Sequence, residues 1–223
     1  MRFAWFLIAA TAVRLVVAAY MPLSADEAYY WVWSKALAPG YLDHPPMVAL
    51  WIRAGTAVLG DTPLGVRLLG PLAAALGSLL LWSAGRDLAP DRPAGSRAAW
   101  MLNGTLALNA GSVLMTPDTP LLLFWTACMA ALARLARTGN GTWWLAAGIA
   151  AGLALQSKYT AGLLAPCALL WVLLAPGLRR WLWHWQPYAG GLLAAAMFAP
   201  VLAWNAAHGW VSFAKQGGRE ADW

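Results

Sequence analysis

Two adjacent carboxylates, Asp26 and Glu27, stand in the stretch SADEAYYWVW, Ser24 to Trp33, directly ahead of four large aromatic side chains. Two further ionic residues occur in equally oily surroundings, Asp118 in TPDTPLLLFW and Lys158 in LALQSKYT. A carboxylate can accept the proton of an attacking hydroxyl or amine, and a cation can stabilise a departing phosphate. Each residue also has a structural reading. Ser24 followed three positions later by Glu27 is a capping box, with Asp26 favouring the positive end of the helix dipole. Thr116 can cap a helix with Pro117 at its first position and Asp118 in its first turn. Lys158 can snorkel from a helix end or hold an anionic phosphate.

These residues must be positioned by elements that are almost entirely apolar. The chain has 223 residues, 61% hydrophobic and 11% charged, against roughly 25% charged in soluble domains. Several apolar runs approach the 20 or so residues that cross a hydrocarbon layer of about 30 Å. The sequence therefore predicts an all-α polytopic membrane protein. Its sixteen Trp fit this reading, because indoles collect at the headgroup level and many here sit at the ends of apolar runs. The first run, 3–20, is longer than a usual signal-peptide core, carries Arg14 and lacks a clear small-residue cleavage site, so it reads as an anchor. Cys128 and Cys167 both fall in expected spans and imply neither disulfide nor metal.

Glycine, proline and charge punctuation divides the chain into seven expected spans at about 3–20, 64–84, 98–115, 119–135, 143–157, 159–175 and 187–205. With the N-terminus inside, the inner side carries eight Arg, including Arg2, against Asp87 and Asp91. The outer side has six cations, with Arg219 among them, against seven acids that include Glu220 and Asp222. This bias obeys the positive-inside tendency. It also sends Asp26, Glu27, Asp118 and Lys158 to one outer face. Arg14 lies about 9 Å below the outer end of its helix and is expected to snorkel outward toward a carboxylate or phosphate.

Residues 21–63 form a first outer loop too long for a simple connection. It reads as two interfacial helices, one from about 25 to 37 and one after Pro45 and Pro46. Carboxylates and cations at an outer interface suit transfer of a sugar from a lipid-linked phosphate to an acceptor. No Gly-rich phosphate loop, Ser/His/Asp set or Cys/His metal spacing is present. The net charge of +6 is explained by topology rather than by a nucleic-acid partner.

The order of Arg14 in a first span, SADEAYYWVW, LDHPPMVALW, GVRLLGPLAAALG, TPDTPLLLFW and LALQSKYTAGLLAP resembles the N-terminal portion of glycosyltransferase family 39. This is the dolichyl-phosphate-mannose–protein mannosyltransferase family, with bacterial undecaprenyl-phosphate-sugar relatives such as the aminoarabinose–lipid A transferases. The resemblance implies a GT-C fold in a cell-envelope membrane and an inverting transfer from a polyprenyl-phosphate sugar to a lipid, glycan or protein acceptor. It implies catalytic roles for Asp26, Glu27 and Asp118, with Asp26 as base and Glu27 positioning the acceptor or holding the loop. It implies phosphate contacts at Lys158 and at the position before the Pro-Pro pair, a lysine in the aminoarabinose branch and His44 here. Arg14 completes the candidate phosphate-binding set.

Family members continue through further spans, so the chain reads as a single transmembrane domain over 1–223 without the family's C-terminal half. The expectation is that this segment alone lacks part of the donor cavity. Two rival readings remain at this stage. One is a non-catalytic fragment or assembly subunit, and the other is a transporter, for which acids near mid-membrane or symmetric broken helices are expected.

Overall fold

The computed structural model describes residues 2–218; Arg219, Glu220 and Asp222, counted above as outer charges, lie outside the described residues, as does the Arg2 side chain. The described chain is helical, with twelve α-helices and two 3-10 segments. In order these are α1 (Arg2–Tyr20), α2 (Ala25–Lys35), α3 (Met47–Leu59), α4 (Pro63–Arg67), α5 (Leu69–Leu88) and α6 (Ala94–Asn103). Then follow α7 (Leu106–Val113), α8 (Asp118–Thr138), α9 (Thr142–Leu155), α10 (Leu164–Leu174), α11 (Gln186–Ala207) and α12 (Val211–Gly217). The 3-10 segments, Tyr159–Leu163 and Pro176–Trp183, bracket α10.

Four stretches are long and apolar enough to cross a membrane: Phe3–Tyr20, Pro63–Leu88, Asp118–Thr138 and Gln186–Ala207. A fifth arises if Tyr159–Leu174 and Pro176–Trp183, bent by 117°, form one span. The expectation of seven full-length spans is therefore corrected. The run 98–115 is split because Thr105 caps a new helix, its hydroxyl accepting the Leu108 N–H. The run 143–157 supplies only the 14 residues of α9, about 21 Å at 1.5 Å per residue. The run 159–175 begins with a 3-10 turn after an extended Lys158, which leaves α10 with 11 residues. The chain still passes back and forth between the same two ends of the bundle.

Large apolar side chains face outward along the long helices, for example Ile8, Val13, Leu79 and Leu192. Lipid is the solvent that accepts them. Inside, the helices approach closely over small residues. A Cβ on Gly148 of α9 would lie 2.2 Å from the Gly190 carbonyl oxygen of α11, so only glycine permits that crossing. Small interfaces of this kind are how membrane helices gain contact without a hydrophobic driving force between them. The protein is an integral membrane protein.

The two ends differ in how they are closed. At one end α2 and α3 lie over the bundle, with Tyr30, Trp33, Val48, Ala49, Ile52, Val66 and Met115 buried together. At the far end the last turn of α5 meets that of α8, where Asp87 accepts hydrogen bonds from Arg134 at 2.5 Å and Arg137 at 2.6 Å.

Candidate active site

The capping box of the SADE stretch is formed in both directions. The Ser24 hydroxyl accepts the Glu27 N–H at 3.3 Å, and Glu27 accepts the Ser24 N–H at 2.9 Å. This starts α2 and divides the acidic pair, because neighbouring helix residues point about 100° apart. Asp26 faces solvent, while Glu27 is fully buried.

Glu27 meets Arg67 there, also fully buried. The Arg67 Nε and Nη2 donate to the two carboxylate oxygens, each at 2.6 Å. The remaining guanidinium N–H groups donate to the carbonyls of Ala18, Met21 and Pro22, so all five donors of the planar fork are used. Glu27 also accepts the Met115 N–H at 3.0 Å. Burial alone would raise the Glu27 pKa, but the bonds from Arg67, Met115 and Ser24 hold it below the ordinary carboxylate range. One carboxylate thus ties together the end of α1, the start of α2, α4 and the turn before α8. The Glu27 oxygens are enclosed by protein donors, and the bonds fasten the first loop to the bundle.

The accessible acids form the rim above this lock. Asp118 is the first residue of α8, and Lys158 Nζ donates to both its oxygens, at 2.8 and 2.9 Å. Both groups keep solvent contact, with side chains 53% and 26% exposed. Thr116 does not cap α8 as its position suggested. Its N–H is instead accepted by the Thr119 hydroxyl, which donates back toward Gly111 and Leu114. Lys158 is brought to the rim by the end of α9, whose Gln156 carbonyl accepts the Met47 N–H of α3 at 3.0 Å.

Asp43 joins the same rim. The Tyr29 hydroxyl donates to it at 2.9 Å and Lys215 of α12 pairs with it at 2.7 Å. Burial would raise its pKa, yet the Lys215 and Tyr29 bonds bring it below the usual value. The buried Tyr30 hydroxyl reports the convergence of the acids. Burial first, then the charges of Asp26, Asp43 and Asp118, push its pKa up to about 12. Among the described residues the Asp26 carboxylate has no hydrogen bond or ion pair, so its lone pairs remain available to a ligand.

The other two candidates are buried. His44 is 6% exposed and packs with its ring centroid 6.2 Å from that of Tyr30. Arg14 does not snorkel outward to a carboxylate. It is 4% exposed and donates to the side-chain oxygens of Asn103 and Asn109, at 3.1 and 2.8 Å. An amide pair inside the bundle takes its Nε and Nη2, while Nη1 is buried without a partner among the described residues. Arg67 and Asp43, which sequence reasoning counted only as outer charges, prove central. The available signal for Arg67 was a lone cation at the mouth of an apolar run. No group of three or more His, Cys, Asp and Glu among the described residues is placed to hold a metal ion.

Fold and site together define a polytopic helical membrane protein with carboxylates and a lysine gathered under an amphipathic first loop. The chain belongs to the dolichyl-phosphate-mannose-protein mannosyltransferase family, whose sequence pattern matches residues 43–204. The match includes Asp43, His44, Arg67, Asp118 and Lys158, while Asp26 and Glu27 precede it. The chain is also similar to the lipid A galacturonosyltransferase RgtD of Rhizobium johnstonii (strain DSM 114642 / LMG 32736 / 3841), 34% identical over 187 residues. That similarity covers 82% of this chain and 38% of the relative, so the chain spans well under half of that protein's length. No solved structure matches the chain.

Proposed function

We propose that this chain carries the acidic rim of a membrane glycosyltransferase that moves a sugar from a polyprenyl-phosphate donor to a lipid acceptor on the outer face of the membrane. The observation that supports this best is the pairing of Lys158 with Asp118 at the loop-covered end of the bundle, where the charges of Asp26, Asp43 and Asp118 act together on Tyr30. The excess of arginine toward the opposite side of the membrane, and the similarity to a lipid A galacturonosyltransferase, support the face and the acceptor class. Protein and glycan acceptors fit the same chemistry.

In the proposed reaction an acceptor hydroxyl or amine attacks the anomeric carbon from the side opposite the phosphate. Asp26 takes the acceptor's proton as the new bond to carbon forms. The bond from that carbon to the phosphate oxygen breaks, and its electron pair stays on the polyprenyl phosphate. Lys158 shifts from Asp118 toward that phosphate and stabilises the charge. One displacement inverts the anomeric centre. Asp118 keeps Lys158 oriented in the resting state, and Glu27 with Arg67 holds α2 so that Asp26 is presented. His44 and Arg14 are buried, which supports giving the phosphate contact chiefly to Lys158.

The test is transfer from a radiolabelled polyprenyl-phosphate sugar in membranes of cells expressing the gene, with the product's anomeric configuration determined by NMR. The expected result is label in the lipid fraction with inverted configuration, lost in Lys158→Met. Retention of configuration, or transfer that depends on a soluble nucleotide sugar, would overturn the proposal.

A further inference from the structure

A cavity of about 490 Å³ lies away from the acidic rim, between α8, α9, α10 and α11, within the range of small-molecule sites. It runs beside α11 from Pro187 to Leu202, roughly 22 Å at 1.5 Å per residue. Its walls are alanine, leucine and aromatic carbon, which suits a hydrocarbon chain. Its far end has a different character.

Trp144 and Trp181 line the cavity there, their rings edge to face with centroids 6.5 Å apart. They are 8% and 4% exposed, and among the described residues neither indole N–H has an acceptor. Gln186 Oε1, close to both Gly141 and this pair, is likewise buried without a donor. Buried donors are nearly always satisfied in folded proteins. Both nitrogens are covered at the cavity wall, and an occupant that parts the two rings would bring the oxygen acceptors they lack.

The same end carries uncompensated positive charge. Arg134 and Arg137 share the single carboxylate of Asp87. Arg180 lies over the Trp181 ring at 5.2 Å and leans across the Gly139 turn, and no carboxylate pairs with it among the described residues. Arg179 donates only to the Leu173 carbonyl. A hydrocarbon slot, two buried donors and surplus arginines at one mouth together match an anionic amphiphile. The polarity is opposite to that of the proposed sugar donor, whose phosphate belongs by Lys158 at the other end.

We infer that the cavity is a binding site for an anionic glycerophospholipid of the surrounding membrane. One acyl chain lies between α9, α10 and α11, ester and phosphate oxygens accept from Trp144 and Trp181, and the head group meets Arg179 and Arg180. Such basic pockets between membrane helices are a physically reasonable place for anionic head groups. The lipid would fix the 117° bend between α10 and the following 3-10 segment, which the protein's own side chains leave partly unfilled.

Native mass spectrometry of the purified full chain, titrated with dioleoyl phosphatidylglycerol, dioleoyl phosphatidylcholine or polyprenyl phosphate, tests the inference. Phosphatidylglycerol is expected to bind tightest and to raise the melting midpoint. The double variant Arg179→Gln/Arg180→Gln should weaken it about thirtyfold, from about 1 kcal/mol per surface arginine. Trp181→Phe should weaken it about fivefold through the lost indole donor, and Ala168→Trp, which fills the slot, should abolish it. Each variant is read against its own lipid-free midpoint, so a general loss of stability is separated from a loss of binding. Equal binding of phosphatidylcholine, or phosphatidylglycerol binding unchanged in Ala168→Trp, overturns the inference. Polyprenyl phosphate bound in a Trp181-dependent way, with no phosphatidylglycerol bound, also overturns it and assigns the slot to the donor's tail.

Discussion

The two ends of the bundle each hold a buried carboxylate clasped by arginine, and they differ in what else they carry. At the far end Asp87 is held by Arg134 and Arg137, whose side chains remain 37% and 46% exposed, and this suffices to join α5 to α8. At the loop end Glu27 and Arg67 do the same work in full burial. Yet that end also carries Asp26, Asp43 and Asp118 with Lys158 and Lys215, groups beyond the buried lock that joins its helices. The far end shows what threading and packing require of ionic groups. What the loop end has beyond that is what the proposed transfer draws on.

The comparison can be broken in several places. Glu27→Ala leaves the Arg67 guanidinium buried without a counter-charge, and breaking such a pair costs about 3–5 kcal/mol. The expected outcome is loss of most folded protein in detergent, read by thermal unfolding. Asp87→Asn should cost less, about 1–2 kcal/mol, because its arginines can turn to water or headgroups. Equal costs at the two ends would remove the distinction drawn between them.

The rim should behave differently from both locks. Lys158→Met and Asp118→Asn remove a pair open to solvent, so each is expected to change stability by less than about 1 kcal/mol. A cost near that of Glu27→Ala would make the rim a structural lock as well.

The smallest effect is at Asp43. Its pKa is depressed in the folded protein, so its contribution is fully present above the ordinary carboxylate pKa, about 3.9. It is lost as pH falls through the lower folded value. Hydrogen exchange of α12, corrected for intrinsic rates, should stay constant from about pH 7 to pH 5 and rise below about pH 4. Asp43→Asn should exchange faster throughout and lack that acid step. Protection of α12 independent of both pH and Asp43 would show that the Lys215 contact contributes nothing.

How far sequence reached can be judged residue by residue. Long apolar runs revealed the helical membrane class, because burial in lipid demands continuous hydrophobicity and internally paired backbone. The count of full-length spans was less legible. Local chemistry at Thr105 and Lys158 shortens helices without interrupting the apolar pattern, so a hydropathy reading passes over both breaks. Within the site, the Ser24 and Glu27 spacing announced the cap, since a capping box is a local motif. The Arg67 partner was not legible. It lies 40 residues from Glu27, and only tertiary packing brings them together. Arg14 was misread for the same reason, as Asn103 and Asn109 are 89 and 95 residues away.

The division of labour between Asp26 and Glu27 is the central claim, and Asp26→Asn assayed in parallel for sugar transfer and thermal unfolding tests it most directly. The account predicts a loss of transfer of about 10²-fold or more with the unfolding midpoint unchanged, since Asp26 is exposed and bonded to nothing that holds the fold. Full transfer by a folded Asp26→Asn protein would contradict it.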